Sequence, residues 1–217
     1  MLAGHYGVGF AAASIHRRTP LWAFLLAAQL PDIVFACLAL AGIEQLRLAR
    51  GTGAAVPLEP VFPRSHSLLG TGTMALLVPV TARVVPRLRP RAALLALIVV
   101  THWMLDVLMY PPMLPLYDDA ATAGLGLWAH PRIACLLETL VLVGGLVPAL
   151  LLQTDRRLIM VLGGAIAVCH VAVYVLPDRM FVTPAQTLVL GLGLWLVFPA
   201  ACWWADRRRP GLPVGAG

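Results

Sequence analysis

Residues 92–110 read "AALLALIVVTHWMLDVLMY", nineteen positions without proline or glycine, in which only His102 and Asp106 can carry charge near neutral pH. A bilayer-crossing helix needs about 20 mainly apolar residues. The stretch therefore predicts a transmembrane helix, and two ionisable groups four positions apart inside it predict a site.

The same character recurs along the chain. Apolar segments at 20–43, 67–85, 132–152, 157–176 and 184–205 also suit a crossing, and a seventh, 4–15, is short for one. The 217 residues are 60% hydrophobic and 12% charged, with a mean hydropathy of +0.85, outside the balance of a water-soluble domain. The expected fold is all-α, a polytopic transmembrane helical bundle of about seven helices, or six if 4–15 does not span. It forms a single integral membrane domain over 1–217. Pro31 is expected to kink or interrupt the second segment. The Gly-, Pro- and charge-bearing stretches 44–65 and 112–131 read as linkers. "GTGT" at 70–73 reads as close helix packing through small residues. Cys37, Cys135, Cys169 and Cys202 lie in apolar segments without ligand spacing and read as buried small hydrophobes. The start "MLAGHYGVGF" lacks a basic region, so no cleaved signal is expected.

All 16 basic residues are arginines and lysine is absent, a composition that fits a GC-rich bacterial genome. They fall in short runs between apolar segments, which argues for topology and against nucleic acid. With seven crossings, one side receives eleven arginines (17, 18, 83, 87, 89, 91, 156, 157, 207, 208 and 209) and the other five (47, 50, 64, 132 and 179). The richer side is expected to be cytoplasmic, which places the C-terminus inside. Membrane lipids are the expected partners.

At about 1.5 Å per residue, His102 and Asp106 lie about 15 and 21 Å from the cytoplasmic end of their helix. His5 and His66 open their segments at the opposite, outer end, Asp32 sits near mid-depth, and Glu138 lies about 10 Å in from the outer end. Five segments thus place ionisable groups in one half of the bilayer, where an unpaired charge costs at least about 2.5–3.5 kcal/mol. Residues i and i+4 share a helix face, so His102 and Asp106 can address one cation. With His5, His66 and Asp32 they make a mixed nitrogen and oxygen set suited to zinc, manganese or iron. Ser65, Ser67 and Glu138 are expected to support these ligands. Helix-packing hydrogen bonds and proton relay are the other readings of the same groups. His130 and His170 have no carboxylate nearby in sequence and His16 lies in a basic turn, so all three stay outside the expected site.

The succession "GHYGVGFAA" (4–12), "PDI" (31–33), "SHSLL" (65–69) and "THWMLD" (101–106) resembles the bacterial membrane-bound metal-dependent hydrolases, a family sometimes labelled LexA-binding inner-membrane hydrolases. The likeness covers about 4–140, and 141–217 read as generic transmembrane helices. One branch shares further elements: "LAAQLPD" followed by Gly42, Ile43, Glu44 and Arg47, then "LPLY", "GLGLW" and Glu138. Val34 stands where better-known members carry a second acidic residue, and Tyr110 and Met113 stand where the branch carries His and Asp. The resemblance implies an inner-membrane protein with His5, Asp32, His66, His102 and Asp106 as metal ligands or catalytic groups.

The expected function is a metal-dependent hydrolase of an ester or phosphoester, lipid-like given the site's depth, with Asp32 or Asp106 as the base. A proton-coupled permease using Asp32, His102, Asp106 and Glu138 is the first alternative, favoured by a broken second helix. A structural membrane protein with internally paired polar groups is the second.

Overall fold

The computed structural model describes residues 1, 3–16, 19–48, 57–117, 120–153, 155–176 and 183–208. The fold is an all-α bundle. Its seven helices, counted among the described residues, are α1 (Ala3–Ile15), α2 (Leu21–Leu40), α3 (Leu68–Ala82), α4 (Ala92–Met109), α5 (Pro131–Leu152), α6 (Arg156–Val175) and α7 (Pro184–Arg207). Five are long and apolar enough to cross a bilayer: α2, α4 with its preceding turn, α5, α6 and α7. The protein is a membrane protein. Of the arginines used above, Arg17, Arg18, Arg50, Arg179 and Arg209 lie outside the described residues.

Helix α1 has 13 residues and so rises only about 20 Å, short of a hydrocarbon core of about 30 Å. It survives as a short helix because other helices enclose it. Ala3, Phe10 and Ala13 are 0% exposed, and its main neighbour is α5. The crossing is close: a Cβ on Gly145 would lie 1.8 Å from the Gly7 carbonyl oxygen, and one on Gly7 would lie 2.3 Å from that of Val141. Only glycine lets these two backbones touch.

Four expectations change. Helix α2 runs unbroken through Pro31, because the buried proline is accommodated by neighbouring helices rather than by a break. The stretches read as linkers each hold a short antiparallel hairpin. β1 (Gln45–Leu48) pairs with β2 (Leu58–Val61) so that Arg47 faces Glu59, and β3 (Leu114–Tyr117) pairs with β4 (Ala120–Ala123). Of the cysteines only Cys202 is buried, Cys135 and Cys169 are half-buried and Cys37 is exposed, since apolar side chains need no protein cover in lipid. The "GTGT" glycines do not mediate helix packing either. A Cβ on Gly70 would lie 1.6 Å from the Arg64 carbonyl oxygen, in the turn before α3, and Gly72 faces open space.

The exterior carries large apolar groups such as Leu76, Val161 and Val168, all at least 70% exposed, while His5, His66, His102, Asp106 and Glu138 are at most 2% exposed. Apolar surface outside and ionisable groups inside is the arrangement a lipid solvent imposes.

Candidate metal centre

Three helices and one turn bring the expected ligands together: His5 from α1, Asp32 from α2, His66 from the turn before α3, and His102 with Asp106 from α4. His102 Nε2 lies 3.3 Å from Asp106 Oδ2, across one helical turn, and 3.7 Å from Asp32 Oδ1. His66 Nε2 lies 3.3 Å from Asp32 Oδ1 and 3.7 Å from Asp106 Oδ2, and His5 Nε2 lies 3.2 Å from Asp106 Oδ1. Ligand atoms held at about 2.0–2.2 Å from one ion stand about 3–4 Å from one another. The atoms of His5, Asp32 and His102, and those of His66, His102 and Asp106, form two such sets within 4.8 Å. The rings of His5 and His102 stack at 3.6 Å.

The hydrogen bonds on the far side of two imidazoles set their protons. His102 Nδ1 lies 2.7 Å from the Ala28 carbonyl oxygen, which can only accept, so Nδ1 carries the hydrogen. The Ser65 hydroxyl donates to Glu44 Oε2 at 2.6 Å. Its oxygen therefore accepts from His66 Nδ1 at 3.0 Å. In neutral rings both Nε2 atoms then present lone pairs to carboxylates. Acceptors facing acceptors in a buried cluster repel unless a proton or a cation stands among them; the Met1 ammonium serves Asp106 Oδ1, and a divalent ion would serve the inward nitrogens and Asp32. Neither nitrogen of His5 nor His102 Nε2 makes a well-formed hydrogen bond among the described residues.

Glu44 is the functional residue that reasoning from sequence missed, although "GIE" was on the page as an element of resemblance. It is 2% exposed and accepts from Arg64 N, Ser65 N and Ser65 Oγ. Ser65 thus supports His66 as expected, whereas Ser67 caps α3, accepting from Gly70 N at 2.9 Å. Glu138 also acts from outside the cluster. It accepts from Ala3 N, at the start of α1, and from the Tyr174 hydroxyl, both at 2.9 Å. A carboxylate at a helix N-terminus meets unsatisfied N–H groups and the positive end of the dipole. His170 has a carboxylate neighbour after all: Nδ1 is 3.8 Å from Glu138 Oε2, and Nε2 is 3.0 Å from Thr139 Oγ1. Helix α6 brings it there, which no spacing in α6 could show.

The Met1 ammonium donates to Asp106 Oδ1 at 2.5 Å. Burial opposes its charge, but Asp106, Glu138 and Asp32 outweigh this and raise its pKa. Phe35, Phe62, Tyr110 and Trp128 close the centre in a chain of edge-on and stacked contacts with His66. Tyr110 is buried among them. Met113 packs against the same apolar layer, and Val34 is half-buried. No family model, no curated protein and no solved structure matches the chain.

Proposed function

We propose that the protein is a metal-dependent hydrolase of an ester or phosphoester, seated in the bacterial inner membrane with its C-terminus cytoplasmic. One observation carries the reading: two imidazoles locked with Nε2 inward face two carboxylates inside a bilayer-embedded bundle. His5, His66, His102, Asp32 and Asp106 would hold the ion, and their mixed donor set suits zinc best, with manganese or iron next. A bound ion of this kind polarises an ester oxygen and lowers the pKa of water.

Exposure separates the two carboxylates. The Asp106 side chain is 1% exposed and held by Met1 and His5, which suits a ligand. That of Asp32 is 16% exposed, which suits the group that takes a proton from attacking water. The unbroken α2 withdraws the main support for a permease.

Elemental analysis of the purified protein tests the proposal. The wild type is expected to hold near-stoichiometric zinc, manganese or iron, and a folded His102→Ala/Asp106→Ala double variant to hold none. A wild type that stays metal-free after incubation with all three ions refutes it. Hydrolysis of bis(p-nitrophenyl) phosphate or p-nitrophenyl butyrate by Asp32→Asn should fall about 10²–10⁴-fold, the usual worth of a positioned base.

A further inference from the structure

A cavity of about 140 Å³ adjoins the centre. Asp32, His66 and Glu138 border it, and the remaining lining is mostly apolar, with Phe62 before α3, Val173 of α6 and Leu194 of α7 among its side chains. Asp32 is the member of the cluster with exposed surface, and it borders this space. The lining also includes Leu190 of α7, which is 59% exposed. The space therefore borders both the partly exposed carboxylate and a side chain of the apolar exterior. A cavity of about 150 Å³ holds a benzene ring. This one takes the first carbons of a chain and leaves the remainder to continue past Leu190 into lipid.

We infer that the substrate is a single-chain or multi-chain amphiphile whose hydrocarbon chain enters between α6 and α7, with its ester or phosphoester head at Asp32 and His66. The inference rests on the hydrolase reading for the head and on the cavity for the chain. Chain binding is therefore measured without turnover. Trp128 and Trp195 line the cavity, so a chain brominated near its head and seated there quenches their fluorescence.

The probe is 4-bromododecylphosphonate, whose bromine lies among the first carbons of the chain, added to the protein in lipid nanodiscs, with 4-bromobutylphosphonate as the short-chain comparison. Saturable quenching is expected for the long probe, at least tenfold tighter than for the short one. Filling the cavity with Val173→Phe/Leu188→Phe, or with Gly191→Leu if that pair does not fold, should weaken it at least tenfold and leave bound metal unchanged. Quenching that rises without saturation, as from bulk lipid around exposed Trp203 and Trp204, or that survives filling, overturns the inference. A protein that binds the chain but holds no metal instead refutes the hydrolase reading and leaves the chain site standing.

Discussion

His66 depends on a residue that does not reach the centre. Glu44 takes the Ser65 hydroxyl hydrogen, Ser65 takes the His66 Nδ1 hydrogen, and the Nε2 lone pair faces inward as a result. Glu44→Gln keeps the size and reverses the sense. The amide N–H would donate to Ser65, the serine hydrogen would turn to Nδ1, and the imidazole proton would move to Nε2. Losses of this kind cost about 10–100-fold in metal affinity. We expect that loss for zinc, measured by competition with a chromophoric chelator, with the fold retained; undiminished affinity would reject the relay. His102→Leu removes both the candidate ligand nitrogen and the hydrogen bond from Nδ1 to the Ala28 carbonyl. A buried hydrogen bond contributes about 0.5–1.5 kcal/mol, so this variant should unfold at a lower temperature than one altered only at Asp32. The five clustered His and Asp residues were legible because each is an ionisable group in or at the start of an apolar run, whereas Glu44 lies in a polar stretch where a glutamate raises no question.

Helix α1 is set by two contacts, the Gly7–Gly145 crossing and the Glu138 carboxylate on Ala3 N, and His5 follows two residues after Ala3. Adjacent glycines of α5 make a controlled pair. A Cβ at Gly145 would collide with the Gly7 carbonyl, while one at Gly144 meets nothing within 4 Å. Gly145→Ala should destabilise by about 1–3 kcal/mol, as overpacking does, and weaken metal binding through His5. Gly144→Ala should be neutral or stabilising by up to about 1 kcal/mol from helix propensity. Thermal unfolding of the two variants checks this, and equal effects would show that the crossing is not what places α1. The "GLGLW" loop braces the end of α4 in the same way. Leu125 N donates to Val107 O and Gly126 N to Tyr110 O, both at 2.7 Å. Gly126 sits at φ +73°, in the left-handed region that glycine reaches without strain. The loop's role in holding the helix that carries His102 and Asp106 was not visible from its composition.

The molecule as a whole is polar inside and apolar outside. At the C-terminal end of α7, Arg207 and Arg208 lie over the rings of Trp203 and Trp204, the pairing of aromatic and basic groups found at membrane–water boundaries. With that end cytoplasmic, a C-terminal green fluorescent protein fusion should fluoresce and an alkaline phosphatase fusion should be inactive; the opposite pattern reverses the orientation. Hydropathy is a property of contiguous residues, so the seven apolar segments, the membrane as solvent and the identity of the His and Asp residues that cluster could all be read along the chain. Whether side chains from different helices meet depends on how each helix is rotated and how closely the backbones approach, which no single segment encodes. Packing alone made α1 an enclosed short helix, carried α2 through Pro31, joined His170 to Glu138 and left Asp32 as the carboxylate open to the cavity.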